Sequence, residues 1–158
     1  IERDQSTSLI LAATNHPELI DPALWRRFDL VLKFDAPDAA AISVAINRFL
    51  GDDRKLFESW INVLAAGLQG QSLSDVERSI NTLRRGHALQ TAPIEKLISS
   101  AIGQRQEALS KMERLNLAIE LAKTGQHTHM QISQMTGVAR DTIRKHAGPS
   151  PRKGRGLK

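Results

Sequence analysis

The sequence contains no cysteine, few aromatic residues and no long hydrophobic run. The absence of cysteine excludes disulfides, thiolate zinc sites and cysteine nucleophiles, and it fits a reducing compartment. Aromatic residues make up 4% of the chain, so we expect a core of Leu, Ile, Val and Ala packed mostly between helices. The longest apolar run, residues 9–13, is far shorter than the roughly 20 residues needed to span a bilayer. We therefore expect a cytoplasmic protein.

Charge is distributed unevenly along the 158 residues, whose formal net charge is +5. Residues 1–110 carry 12 Lys and Arg against 14 Asp and Glu, which is a net charge of −2. Residues 111–158 carry 10 against 3, which is a net charge of +7. A basic carboxyl-terminal part of this kind predicts a polyanionic partner at that end of the chain.

Two short apolar runs, residues 8–15 and 30–34, are typical of buried strands in a parallel sheet. Between them, Asp21 can cap a short helix and Pro22 can open it. Two strands cannot form an independent parallel sheet, because their faces and edges would lack partners. We therefore expect residues 1–37 to be the last part of a larger α/β core whose earlier strands lie upstream.

Helical periodicity begins at Asp38 and predicts four helices up to residue 110. Their inward-facing residues are Ile42, Ala45, Ile46, Phe49 and Leu50, then Leu56, Phe57, Trp60, Ile61 and Leu64, then Leu73, Val76, Ile80 and Leu83, and finally Ile94, Leu97, Ile98, Ala101 and Ile102. The segment from Lys111 to Thr124 predicts a further helix, and Gly125 suits its carboxyl-terminal cap. The inward face predicted for this helix consists of Met112, Leu115, Ala118, Ile119 and Ala122.

Two segments near the amino terminus resemble the second half of an AAA-plus ATPase core: Ala13-Thr14-Asn15-His16-Pro17-Glu18 and Ile20-Asp21-Pro22-Ala23-Leu24-Trp25-Arg26-Arg27-Phe28-Asp29. The resemblance is close over residues 8–38 and extends loosely through a helical lid to residue 110. It implies that Asn15 is a sensor at the end of a strand, and that Arg26 and Arg27 reach into a neighbouring subunit's nucleotide site. Taken singly, Asn15 also suits a strand-end turn, and adjacent arginines also suit a solvated face.

The lid segment Gly70-Gln71-Ser72 resembles the Gly-x-Ser segment with which many members of that family begin the helix facing the nucleotide. Helix amino termini favour anions, so the resemblance implies that Gly70 and Ser72 lie beside a phosphate or a ribose. Ser72 is equally suited to plain helix capping. Arg78 lies beyond the first turn of this helix, so we expect the second-sensor arginine of some branches of the family to be absent.

The sequence has no Gly-x-x-x-x-Gly-Lys-Ser/Thr phosphate loop and no apolar strand that ends in the acidic pair holding magnesium. The resemblance therefore implies that a longer parent protein binds ATP and Mg²⁺, and that this chain alone is inactive and needs no cofactor. Further copies of the subunit are the implied partners. A non-catalytic adaptor with ATPase ancestry, which binds DNA or another protein, is the alternative interpretation.

Residues 128–146 resemble a helix-turn-helix of the bacterial regulator or recombinase kind. Thr128 and Gln131 can form a capping box, and Gly137 allows the tight turn. The pattern directs Ile132, Met135, Val138 and Ile143 inward, and Ala139 stands where a Ser or Thr cap is usual. It leaves Arg140, Thr142, Arg144 and Lys145 outside, as a recognition helix in the major groove of duplex DNA requires.

Arg152 and Lys153 belong to a basic segment, residues 150–158, whose composition predicts a disordered tail that meets DNA phosphates. A small helical bundle with a solvated basic face is the alternative interpretation of residues 111–149. His127, His129 and His146 lack the carboxylates or thiolates that would complete a metal site, so we expect surface residues and no metal.

The predicted fold is mainly α. It consists of a two-strand remnant of an α/β phosphate-loop core at residues 1–37, a four-helix AAA-plus lid at residues 38–110, and a helix-turn-helix at residues 111–149, followed by the tail.

Overall fold

The computed structural model describes residues 9–103, 105 and 107–151. The chain divides into two units, Ile1–Asp35 and Ala36–Lys158, and the second unit holds most of the helices. Over the described ranges, no helix is both long enough and apolar enough to cross a membrane.

The first unit contains a 3₁₀ helix at Pro17–Leu19 and a single turn of α-helix, α1, at Pro22–Trp25. Asp21 caps α1 as the sequence predicts, because its Oδ1 accepts a hydrogen bond of 2.8 Å from the amide of Ala23. Pro22 occupies the start of α1, where its missing N–H leaves no helical hydrogen bond unmade. The local signals around this turn therefore predicted it correctly.

The two predicted strands are not formed in the described part of the first unit. Residues 9–14 and 30–35 adopt no regular secondary structure, and their apolar side chains are exposed, with 83% of Leu9 and 92% of Phe34 accessible to solvent. A strand is stabilised by hydrogen bonds to a neighbouring strand and by side chains packed on its faces. The prediction of a two-strand remnant is therefore corrected here: the apolar runs are present in the sequence, but no sheet forms around them in the described residues.

The second unit is built from helices joined by short turns. The first of them are α2 at Ala39–Leu50, a 3₁₀ helix at Gly51–Trp60 that runs into α3 at Ile61–Gly67, α4 at Leu73–Ala88 and α5 at Ile94–Gly103. The carboxyl-terminal helices are α6 at Lys111–Lys123, α7 at His129–Thr136 and α8 at Arg140–Ala147. Asp38 starts this series as predicted, because its Oδ1 accepts a hydrogen bond of 2.7 Å from the amide of Ala41.

One hydrophobic core runs through the second unit. Each of the helices α2 to α8 contributes fully buried side chains, among them Ile42, Ile46, Leu64, Ile80, Ile98, Leu117, Leu121, Ile132 and Ile143. Helix α6 packs against α3, α7 and α8, and so connects the lid helices to the last two helices. Residues 38–110 and residues 111–149 therefore contribute side chains to the same core.

The buried face of α6 differs from the prediction. Met112 is 67% exposed, and the residues of α6 that are buried in the core are Leu117, Ala118 and Leu121. Helix α6 contacts α3 as well as α7 and α8, so neighbours from two parts of the chain decide which of its residues are buried. Periodicity along one helix does not contain that information.

A polar contact joins α4 to the end of α2. Nε of Arg84 donates to Oδ2 of Asp53 at 2.6 Å, and Nη1 of Arg84 donates to the carbonyl of Phe49 at 3.1 Å. The carbonyl belongs to the last turn of α2, where backbone acceptors lack partners within the helix. Arg84 therefore satisfies a helix terminus and an acidic side chain together.

Candidate functional site

The first unit carries the residues predicted to sense the nucleotide. Asn15 lies at a bend just before the 3₁₀ helix, and the amide of the next residue, His16, donates to Oγ1 of Thr14 at 3.0 Å. Arg26 and Arg27 form the turn that follows α1. All three predicted side chains are exposed, as groups that bind a ligand or a neighbouring subunit must be. Their roles stay predictions.

In the second unit, Gly70 and Ser72 shape the start of α4. Gly70 has a φ of +76°, in the left-handed region that glycine adopts without steric cost. Oγ of Ser72 accepts a hydrogen bond of 3.2 Å from the amide of Asp75 and donates one of 2.8 Å to Oδ2 of Asp75. Arg78 Nη1 lies 3.0 Å from the other carboxylate oxygen of Asp75. The capping role of Ser72 is confirmed, and its contact with a nucleotide stays a prediction.

A second cation, which no sequence motif indicates, lies next to this turn. Arg105 is half-buried in the segment after α5, and its Nη2 donates to the carbonyl of Gln69 at 3.4 Å. The two residues are 36 positions apart, and Arg105 belongs to no motif, so no sequence pattern could have placed it there. Its charge and the amino terminus of α4 both favour anions at this end of the lid.

Helices α7 and α8 begin and end as the sequence predicts. The amide of Gln131 donates to Oγ1 of Thr128 at 3.3 Å, and the amide of Thr128 donates to Oε1 of Gln131 at 2.8 Å, which completes the capping box. Gly137 ends α7 with a φ of +69°, where a residue with a side chain would be strained. Ala139 begins α8 without a side-chain cap. Residues 137–139 therefore form the turn between two short helices.

Helix α8 has one buried side and one charged side. Ile143 is fully buried, Thr142 is half-buried, and Arg140, Arg144 and Lys145 are exposed. Arg140 and Arg144 are four residues apart, so they lie on successive turns of the same face. The other two predicted DNA contacts, Arg152 and Lys153, lie outside the described residues. The described surface of α8 is that of a short helix with three cations facing solvent.

The histidines near these helices have different environments. His129 is only 7% exposed, so the prediction of a surface residue is wrong for it, whereas His146 is exposed. His127 packs against Trp60 with the ring centroids 5.8 Å apart, and burial lowers its pKa although the carboxylate of Glu95 acts in the opposite sense. In the described part of the chain, no group of three or more His, Asp or Glu residues is arranged to hold a metal ion.

The chain after α8 folds back onto α7. Ser150 is half-buried, and its Oγ accepts a hydrogen bond of 3.1 Å from the amide of His129, the first residue of α7. This contact was not predicted, because the composition of residues 150–158 predicts a disordered tail. The sequence feature that could have indicated order around Ser150 is the pair of flanking prolines, Pro149 and Pro151. Each proline restricts its own backbone before the chain folds.

The chain is similar in sequence to several curated proteins. It is 34% identical to the ATP-dependent zinc metalloprotease FtsH 3 of Sphaerobacter thermophilus over 72% of this chain and 26% of that protein. It is 37% identical to the uncharacterized AAA family ATPase y4kL of Sinorhizobium fredii over 49% of this chain and 23% of that protein. It is 26% identical to the ATP-dependent zinc metalloprotease FtsH of Mycobacterium tuberculosis over 98% of this chain and 22% of that protein. No family model and no solved structure matches the chain.

These relatives support an AAA-family ATPase fragment, which is the class that the segments around Asn15, Arg26 and Arg27 resemble. The chain spans about a quarter of the length of these relatives, at 26%, 23% and 22%.

Proposed function

We propose that this chain is part of an oligomeric AAA-family ATPase, to which it supplies nucleotide-sensing residues, and that its carboxyl-terminal helices bind duplex DNA. The ATPase proposal is supported by the similarity to an ATP-dependent zinc metalloprotease over 72% of the chain and to an AAA family ATPase over 49% of it, together with the exposed motif residues Asn15, Arg26 and Arg27. The DNA-binding proposal is supported by the exposed cations of α8, in a part of the chain with a net charge of +7.

The proposed site residues suit different tasks in ATP hydrolysis. The amide of Asn15 can hold a water molecule or a phosphate oxygen without adding charge. The guanidinium group of Arg26 or Arg27 can spread the negative charge that develops on the transferring phosphoryl group of a neighbouring subunit's nucleotide. Gly70 and Ser72 are proposed to contact the nucleotide from the lid. ATP and Mg²⁺ would be held by the phosphate loop and acidic residues of the complete ATPase, so this chain alone is expected not to hydrolyse ATP.

The double variant Arg26→Ala/Arg27→Ala tests this assignment in the complete ATPase. We expect turnover to fall about a thousandfold or more while nucleotide binding stays nearly intact, because a finger residue acts on transition-state charge. Lys33→Ala removes an exposed cation from the same unit and is the matched control. Phosphate release and equilibrium nucleotide binding, measured on the same samples, separate the two effects.

Subunit mixing then tests whether the arginines act in trans. The double arginine variant and a phosphate-loop variant should each be inactive alone and should recover part of the activity when mixed, because each supplies what the other lacks. Full turnover by the double arginine variant alone would reject the assignment. The non-catalytic adaptor would then be the better account of this chain.

Helix α8 is proposed to enter the major groove of duplex DNA with Arg140, Thr142, Arg144 and Lys145 directed at the duplex. An arginine that donates two hydrogen bonds to a guanine contributes about 1–3 kcal/mol of discrimination against other bases. Contacts to phosphates, in contrast, add affinity for every sequence and make binding depend on salt.

Fluorescence anisotropy with labelled duplexes at several salt concentrations tests the DNA-binding proposal. Arg144→Ala should cost about 1–3 kcal/mol on a preferred site and much less on random DNA. Arg54→Ala removes an exposed cation from the 3₁₀ helix Gly51–Trp60 and is the matched control. Equal small losses of binding free energy for both variants on every duplex would show that α8 packs in the core without recognising DNA. An absence of binding at low salt would contradict the DNA-binding proposal.

A further inference from the structure

Helix α8 carries an acidic residue among its exposed cations. Asp141 is exposed and lies in the first turn of α8, between Arg140 and Thr142. Within the residues that the structure describes, the carboxylate of Asp141 accepts no hydrogen bond and forms no ion pair. Lys145 follows one turn later, at a spacing that would suit such a pair. Asp141 therefore presents an unpaired negative charge on a helix whose other exposed charges are positive.

The helical period and the buried residue Ile143 define which side chains of α8 project furthest from the core. Successive residues of an α-helix are turned by about 100° around its axis. Counted from the fully buried Ile143, Asp141 and Lys145 each lie about 160° away, on either side of the point opposite the core. Thr142 and Arg144 lie about 100° away, and Thr142 is accordingly half-buried. Asp141 and Lys145 therefore form the outermost line of α8.

A carboxylate on this line is unfavourable beside phosphates but suits one kind of base edge. An ionised carboxylate only accepts hydrogen bonds, and the DNA backbone offers it negative charge and no donor. In the major groove, the donors are the amino groups of cytosine and adenine. Adenine also presents the acceptor N7 beside its amino group, and two acceptors cannot bond each other. The amino group at N4 of cytosine is therefore the group of a base edge that Asp141 fits best.

We propose that Asp141 is a specificity-determining residue: its carboxylate, on the outermost line of α8, accepts a hydrogen bond from the N4 amino group of a cytosine and so selects DNA sites with a G·C pair at one position. This inference rests on the proposed DNA-binding function. Contacts of the cations to phosphates add affinity for every sequence. Asp141 adds affinity only where a cytosine offers its donor, and its charge opposes binding to all other sites.

Selection of binding sites from duplexes with a randomised central segment tests the proposal on the full chain. The unaltered chain should select cytosine at one position. Asp141→Asn should shift the preference at that position to adenine, because a carboxamide can donate to N7 and accept from the N6 amino group. Asp141→Ala should leave the position without a preference. Asp52→Asn is the matched control and should keep cytosine, since Asp52 is also an exposed acid in the first turn of a helix.

Fluorescence anisotropy on the selected duplex, and on the same duplex with a T·A pair at that position, measures the discrimination. The unaltered chain should prefer the selected duplex by about five- to a hundredfold, and Asp141→Ala should bind both equally. On random duplexes at low salt, Asp141→Ala should bind about two- to tenfold more tightly than the unaltered chain, because one charge that repels phosphates is gone. If Asp141 served only to stabilise α8, the same substitution would weaken binding to every duplex.

An unchanged preference in all Asp141 variants, or an equal loss of binding to every duplex, would overturn the proposal. An unaltered chain that binds duplexes without selecting any base would also overturn it, and the DNA-binding function would stand. If the unaltered chain binds no duplex even at low salt, the DNA-binding function itself fails, and this inference fails with it.

Discussion

Replacing Leu117 by alanine tests whether the lid helices and the carboxyl-terminal helices unfold together. Leu117 is fully buried in α6, the helix that packs against α3, α7 and α8. A Leu→Ala substitution at such a position removes apolar contacts and leaves a cavity, at a cost of about 2–5 kcal/mol. Domains of this size have free energies of unfolding on the order of 5–15 kcal/mol. The substitution should therefore remove a large fraction of the stability of the whole second unit.

Urea unfolding followed with two probes provides the measurement. In a Trp25→Phe background, the fluorescence of Trp60 reports on the residues predicted as the lid, and far-ultraviolet circular dichroism reports on all helices. Both midpoints should fall together by on the order of 1–3 M, given a urea dependence of about 1–3 kcal/mol per molar. Met112→Ala alters the same helix at a side chain that is 67% exposed, and should change stability by no more than about 0.5 kcal/mol.

Separate transitions would refute the reasoning. If the Trp60 midpoint stays at the value of the unaltered chain while the dichroism midpoint falls, the residues up to 110 fold without help from α6. If neither midpoint moves, Leu117 does not occupy the core that the structure shows.

Gly137→Ala should destabilise the second unit by about 1–2 kcal/mol in thermal unfolding, because its φ of +69° strains a residue with a Cβ, whereas Gly103→Ala, which meets no atom within 4 Å, should not. Hydrogen bonds from the side chain and the backbone of Ser110 lower the pKa of Glu113 from its ordinary value of 4.5. The contribution of these hydrogen bonds to the free energy of unfolding should therefore be present above that ordinary pKa and be lost as the pH falls through the lowered pKa. Glu113→Gln should abolish that part of the acid dependence of urea unfolding, and an unchanged profile would contradict the assignment. Burial lowers the pKa of His127, so the free energy of unfolding should be highest above about pH 6.5 and decrease as the pH falls from there toward the lowered pKa. His127→Gln should flatten this decrease, and a slope that persists would locate its source elsewhere.

Local signals in the sequence predicted much of the second unit correctly. The Asp38 cap, the Thr128 and Gln131 capping box and the Gly137 turn each join groups within four residues of one another, so their geometry can be inferred without knowing the rest of the fold. The inward face of α2 was predicted for the same reason, since Ile42 and Ile46 recur with the helical period and both are fully buried.

The residues proposed to contact the nucleotide could also be identified from the sequence, because Asn15, Arg26 and Arg27 belong to contiguous segments that resemble one family. That selection was possible without any geometry. The chemistry of an amide and of two guanidinium groups can be read from residue type, whereas their distances to a nucleotide depend on groups from other parts of an assembly.

Only the tertiary structure decided which distant groups meet. The apolar runs around Leu9 and Phe34 could not be assigned from periodicity alone, because a strand exists only when another strand accepts its hydrogen bonds. Three contacts join segments that are far apart in sequence. They are the packing of the buried face of α6, the contact of Arg84 with Asp53 and the hydrogen bond from the His129 amide to Ser150. Such contacts form only when the packing of the whole unit offsets the entropic cost of closing long loops. A local sequence pattern therefore cannot predict them.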